Sequence, residues 1–231
     1  MPPAKLALGA AAVTLICAIL AGLLARRRVG SCWSFVAYLI AVAASDIVIL
    51  VWPERFFRKE FWILKESVHN LLKLAVALEL MVRIFQPFPS AYVAARRAVI
   101  VVVAGLGGLI WFSRSHGTDY VAVVGRLYPH VHDATVWLLV ALGGYCLWYN
   151  LPLDSLNKAI LIGMVPYLLV YSVMLRALFA LGWERGGVFN RSAPLAYLVL
   201  LAYWAYVAWT PASGGDAGTR IGRLLGRRGP R

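Results

Sequence analysis

Charge is scarce in this chain. Only 14% of its residues are charged while 61% are hydrophobic, a balance too apolar for a soluble domain and spread over too much sequence for one buried core helix. Acidic residues are rarer than basic ones, 10 against 23. The resulting charge of +13 would suit a nucleic-acid partner in a soluble protein, but the arginines here stand at the ends of apolar runs and in the carboxyl-terminal tail. There they read as topology signals, and no nucleic acid is expected. Cysteine is sparse too. Cys17 and Cys146 fall in apolar runs and Cys32 sits beside a basic loop, which excludes a disulfide framework and offers no metal-ligand spacing.

Catalytic signatures are also lacking. No Ser-His, zincin or phosphate-loop arrangement occurs, so neither an enzyme nor a cofactor is implied. The last apolar run, PLAYLVLLAYWAYVAWT, has no lysine, which leaves the retinal Schiff base of microbial rhodopsins nowhere to form. Haem held between His69 and a second histidine is disfavoured, because no other histidine is central in an apolar run. Gly105, Gly107 and Gly108 are not a nucleotide fingerprint and instead predict close helix packing.

What the chain does have is apolar runs of spanning length, at about 6–25, 33–52, 61–85, 95–113, 134–150, 157–182 and 194–210. Without water, backbone groups need internal partners, and no strand-like alternation suggests a barrel. The expected fold is an all-α polytopic membrane helix bundle with about seven transmembrane helices. Residues 1–211 form the bundle and 212–231 a basic cytoplasmic tail. Lys5 before the first run resembles a secretory leader, but the run is long and closes on Arg26, Arg27 and Arg28, a stop-transfer flank. The pieces 26–30, 53–60, 86–97, 113–133, 150–157 and 183–193 are expected to be connections.

Topology follows from the basic residues. With the amino terminus outside, Arg26, Arg27, Arg28, Arg96, Arg97, Lys158, Arg220, Arg223, Arg227, Arg228 and Arg231 lie on the cytoplasmic side. The outer side holds Lys5, Arg55, Arg58, Lys59, Arg114, Arg126, Arg185 and Arg191, offset by Glu54, Glu60, Asp119 and Glu184. Trp52, Trp62, Trp111, Trp148, Trp183 and Trp209 gather near the ends of runs as an aromatic belt. The tail, with five arginines among Ile221, Leu224 and Leu225, suits anionic lipid headgroups or a disordered anchor. An inner membrane of bacterial type is the expected address.

The third run, FWILKESVHNLLKLAVALELMVRIF, breaks the apolar rule. At 100° per residue Glu66, His69, Asn70 and Lys73 share an arc of about 100°, one helix face. Ionisable groups in a span turn to a bundle interior or a watery cavity, where they pair, relay protons or bind a polar ligand. The plainer reading is a packing seam in which Glu66 pairs with Lys73 or Asn70. Glu79 and Arg83, four apart, make a pair near the inner end.

Other runs supply partners. Asp46 and Arg176 each stand six residues from the outer end of a run, about 9 Å deep, level with Glu66 and His69. An ion pair between Asp46 and Arg176 and one polar pocket open outward are therefore expected. Tyr167 and Tyr171, just past Pro166, wall that pocket or else pack between helices; the proline bends its helix or frees a carbonyl. In the segment YPHVHD, His130 and His132 precede Asp133, with His116 in the loop before. They are weak metal candidates, because a His-x-His pair ligates zinc or copper only where further ligands converge, and an interfacial, solvated pair is the plainer expectation.

In layout the chain resembles the seven-helix sensory input domains of bacterial membrane receptors. It is also similar to uncharacterised bacterial seven-helix proteins whose aromatic-acidic third span runs into a proline-aromatic-proline turn, here FWILKES through QPFPS in residues 61–90. The resemblance implies a receptor-like protein that takes a small ligand or ion from outside and passes a helix shift inward, to a separate signalling or membrane protein because no kinase output domain accompanies the bundle. A small-solute or proton-coupled transporter, with Asp46, Glu66, His69 and Lys73 handling protons or substrate, is the second expectation. A structural or assembly subunit whose polar seam meets a partner chain is the third.

Overall fold

The computed structural model describes residues 3–56, 58–115, 120–149, 151, 153–181 and 189–210. Every regular element among them is helical: α1 (Pro3–Ala25), α2 (Trp33–Val51), the short α3 (Pro53–Phe56), α4 (Lys59–Phe85), α5 (Pro89–Ser115), α6 (Tyr120–Trp148), α7 (Ser155–Leu181) and α8 (Phe189–Trp209). A 3-10 turn, Val29–Ser31, joins α1 to α2.

Among the described residues five stretches are long and apolar enough to cross a membrane: Leu6–Ala25, Trp33–Val51, Pro89–Gly108, His130–Trp148 and Ser155–Met174. α4 is long enough, at 27 residues, but Lys65, Glu66, Lys73, Glu79 and Arg83 lower its hydropathy. In α8 the apolar part, Pro194–Trp209, is shorter. The outward faces are apolar as well, with Ile40, Leu147, Val173, Val199 and Tyr206 all exposed. A water-facing bundle would show polar groups there, so this is an integral membrane protein of helical type.

Helix order follows from the contacts. α1 neighbours α2, α2 neighbours α4, then α6, α7 and α8 follow in turn, and α8 closes back on α1. Six helices thus form a ring. Pairs such as Asp46–Lys65 and Ser34–Glu79 run α2 antiparallel to α4, while Gly22 beside Ala208 and Trp209 sets α1 parallel to α8. α5 stays outside the ring and leans mainly on α4.

The core is a layer of large side chains across the ring. Phe35 meets the edge of Trp204 at 4.9 Å between centroids, and Ile16, Leu39, Met164, Leu168 and Leu201 fill around them. Trp204 donates its indole N–H to the Ala159 carbonyl at 3.2 Å. α7 and α8 come this close because residue 163 is glycine: a Cβ there would stand 2.6 Å from Leu200 Cδ1 and 2.7 Å from Trp204 Nε1.

α1 ends in a Schellman turn, with Arg28 N–H on the Leu23 carbonyl at 2.8 Å and Arg27 N–H on Leu24 at 3.0 Å. Arg27 takes the left-handed position, φ 52°, usually given to glycine at lower conformational cost.

Several expectations about connections are corrected. The piece 86–97 shrinks to three residues because Pro89, pre-set at φ for a first helical turn, starts α5. The piece 113–133 is helical from Tyr120 onward; its polar residues made it read as a loop. Gly105, Gly107 and Gly108 do not mediate close packing, since a Cβ on any of them would meet nothing within 4 Å. That follows from α5 lying outside the ring. The basic tail 212–231, His116, Trp183, Glu184 and Arg185 lie outside the described residues.

Candidate functional site

One cavity of about 440 Å³ opens within the ring, bordered by α1, α2, α4, α7 and α8. α4 gives it most of its polarity. Trp62, Lys65, Glu66, His69 and Lys73 all reach it from successive turns, because spacings of three and four keep side chains on one face. From Lys65 to Lys73 this face climbs about 12 Å, and Lys73 stands at the midpoint of the helix. α2 adds Asp46, Val42 and Tyr38; α7 adds Tyr167 and Tyr171; α8 adds Pro194, Tyr197 and Leu198; α1 closes it with Leu8, Gly9 and Ala12.

Polar contacts are graded along this cavity. At its shallower end Lys65 Nζ stands 3.5 Å from Asp46 Oδ1, a long ion pair between half-buried partners. Next, His69 Nε2 lies 3.2 Å from Ser45 Oγ. Ser45 gives its only proton to the Val42 carbonyl at 2.8 Å, so the serine oxygen accepts and the histidine Nε2 carries the hydrogen. The imidazole is thereby held edge-on to Tyr38, 6.2 Å between centroids.

At the deep end Lys73 is buried, 7% exposed. Its ammonium has Asn70 Oδ1 at 3.5 Å and the face of Tyr171 at 5.9 Å. Tyr171 stacks with Tyr167, and Tyr167 meets Tyr197 at 5.6 Å. A tyrosine wall of this kind offers π faces and hydroxyls together.

The sequence-selected residues separate into three groups. Asp46, Glu66, His69, Lys73, Tyr167 and Tyr171 border the cavity. Asn70 lies beside it, buried, with its oxygen toward Lys73. Arg176 is elsewhere, and the expected Asp46–Arg176 pair does not form: Arg176 Nη2 bonds Asp133 Oδ2 on α6 at 2.9 Å. Equal depth said nothing about helix order, and α2 and α7 are not neighbours in the ring.

The histidine pair is also corrected. On a helix, residues two apart point to opposite sides, so His130 is exposed while His132 turns inward, 2% exposed, with Nε2 2.9 Å from Ser172 Oγ and its ring against Tyr171. His132 is therefore a buried neighbour of the tyrosine wall rather than an interfacial group. Among the described residues no group of three or more His, Cys, Asp or Glu is placed to hold a metal ion.

Lys65, Tyr38, Tyr197 and Ser45 escaped the sequence reading. On an ideal wheel Lys65 falls about 100° from Glu66, at the edge of the face that lines the cavity, where Asp46 meets it. The two tyrosines and the serine are residue types that pack in any span, so nothing in the string marks them.

A second polar site stands at the opposite end of α4. Glu79 accepts backbone N–H groups of Trp33 and Ser34 at 3.1 and 2.7 Å. Arg83 holds the same carboxylate at 3.0 and 2.7 Å, and reaches the Gly30 carbonyl at 2.8 Å. The Cys32 thiol lies 3.6 Å from Glu79; its burial, and secondarily that carboxylate, push its pKa up to about 12. This is a structural clasp with every polar partner satisfied.

No protein-family model, curated protein or solved structure matches this chain. The cavity is thus read from its own chemistry.

Proposed function

We propose that this is a receptor-like membrane protein of seven spans, amino terminus outside and carboxyl terminus cytoplasmic, that binds a small polar ligand in the cavity of α1, α2, α4, α7 and α8. One observation carries the reading: two carboxylates, two lysines, a histidine and four tyrosines border a single space of about 440 Å³. A packing seam would close on itself, because empty volume beside ionisable groups in a bilayer stabilises nothing. The volume falls in the range of small-molecule sites. Glu66 and His69 are assigned to ligand contact, Trp62 to the mouth, and the tyrosines to the wall.

The purified chain in lipid nanodiscs, screened by thermal unfolding against small polar metabolites, tests this. A ligand that raises the unfolding temperature should lose its effect in Glu66→Gln and in His69→Ala, while both variants insert and fold. Shifts of wild-type size in both variants would remove the cavity as the site.

A carrier is the second reading, favoured by the prolines. Pro166 lies inside α7 and Pro194 inside α8, so two adjoining helices each lack one backbone hydrogen bond beside the cavity. Interrupted helices are the usual frame of a transporter's substrate site. Uptake of the identified ligand into proteoliposomes, abolished by Glu66→Gln, would favour the carrier; binding without uptake favours the receptor.

A further inference from the structure

We infer that Lys73 is the anchor for an anionic head on the ligand, so that the cavity takes a small carboxylate with an apolar or aromatic body. The inference rests on the cavity being a binding site.

The two carboxylates and two lysines of the cavity balance in number but not in distance. Lys65 and Asp46 lie 3.5 Å apart at the shallow end. Lys73, at the midpoint of α4, has no carboxylate within 4 Å among the described residues. Glu66, two turns away along the helix, acts on it electrostatically. What touches the ammonium is an amide oxygen at 3.5 Å and a tyrosine face. A buried cation so weakly partnered costs several kcal/mol relative to water, and a packing role would be filled better by methionine or leucine.

The neighbours of Lys73 are mostly donors. Asn70 turns its oxygen to Lys73, which leaves Nδ2 buried with no acceptor. Elsewhere on the cavity wall the buried Tyr197 hydroxyl lies close to the Tyr38 phenol and makes no hydrogen bond of good geometry. An ammonium with one long acceptor and an amide N–H group with none therefore stand side by side. A ligand carboxylate supplies up to four lone-pair sites and a negative charge at contact distance.

The rest of the cavity describes the body of the ligand. Tyr167, Tyr171 and Tyr197 present rings, and Leu8, Val42 and Leu198 are aliphatic. An amine would meet Lys73 with like charge, and a fully polar ion would leave the rings uncovered. A phenyl or short acyl chain ending in a carboxylate satisfies both ends.

Three probes with one body separate the possibilities: phenylacetate, 2-phenylethanol and 2-phenylethylamine, titrated calorimetrically into the full chain in phosphatidylcholine nanodiscs. Phenylacetate should bind tightest. Lys73→Met should weaken it by at least about thirtyfold, the low end for removing one partner of a buried charge pair, and weaken the alcohol far less, while Lys73→Arg keeps the preference for the acid. Lys73→Met should also raise the unfolding temperature of the unliganded protein, since it removes an unpaired buried charge; a structural lysine would show the reverse. Lys73→Gln repeats the comparison with a polar replacement.

Equal binding of acid and alcohol by wild type, or an acid preference that survives Lys73→Met and Lys73→Gln, overturns the anionic anchor while the binding cavity stands. Silence from all three probes up to about 10 mM, where even millimolar affinity registers, overturns the cavity reading and this inference with it. Binding of inorganic phosphate in place of phenylacetate, lost in Lys73→Met, would overturn the carboxylate assignment.

Discussion

The carboxylate of Glu79, on α4, caps a different helix: it accepts the Ser34 N–H at 2.7 Å in the first turn of α2. The first N–H groups of a helix have no partner within it, and α2 has no side-chain cap of its own, since Cys32 occupies that position. α4 therefore closes α2 from outside and fixes the register between them, which sets Asp46 opposite Lys65 and Ser45 opposite His69 three turns away.

Removing that carboxylate should unfasten both helices. Hydrogen bonds to a charged group are worth about 1.5–3 kcal/mol each, while an i,i+4 ion pair on a helix contributes about 0.3–0.5 kcal/mol. Glu79→Ala should accordingly destabilise by about 2 kcal/mol or more in an unfolding titration, and Arg83→Ala by clearly less. Equal losses would mean that the Arg83 pair, rather than the cap, carries the stability.

Cys32 should be silent to thiol reagents in the folded protein. Its pKa is raised from 9.0 to about 12 by burial and by Glu79, so the folded state keeps the proton where the unfolded chain has released it. The associated stability is complete below about pH 9 and is lost as pH rises towards 12. Maleimide labelling at about pH 8 should need prior denaturation, and the fall in unfolding temperature between about pH 8 and about pH 10.5 should shrink in Cys32→Ala.

Gly163→Ala should destabilise by about 1–3 kcal/mol, the usual range for overpacking. The added methyl would displace Trp204, whose indole N–H is held by Ala159. A variant as stable as wild type in an unfolding titration would show that α7 and α8 separate without cost.

Arg176→Ala should be mild. Its side chain lies past the end of the apolar span Ser155–Met174, is 70% exposed and pairs with a partly exposed Asp133, so the expected loss is about 0–1 kcal/mol. Ligand affinity should not change, because the arginine lies apart from the cavity. Loss of binding in this variant would place the site between α6 and α7 instead.

Reporter fusions at Arg231 and within 113–120 test the orientation. The first should report cytoplasm and the second the outer side, as the arginines at 26–28 and 96–97 require. Both reporting the outer side would sink the topology.

Membrane residence, helical class and the polar face of α4 are properties of the string itself. An apolar run admits only a helix in lipid, and the fixed angle between successive residues puts Glu66, His69, Asn70 and Lys73 together whatever surrounds them. For the same reason the Glu79–Arg83 pair could be read from a spacing of four. Which helix stands beside α4 is another matter. Asp46 and Arg176 stand equally far from the ends of their apolar runs, but that distance is one coordinate, and the position around the ring is set by packing between distant segments, such as Phe35 against Trp204 and Gly163 against Leu200. That packing gives Asp46 to Lys65, gives Arg176 to Asp133, and brings His132 in against Tyr171. It also leaves the glycines of α5 facing outward. Spacing along one helix follows from covalent geometry alone, whereas contact between helices depends on which side-chain shapes fit, and that complementarity exists only once the ring has closed.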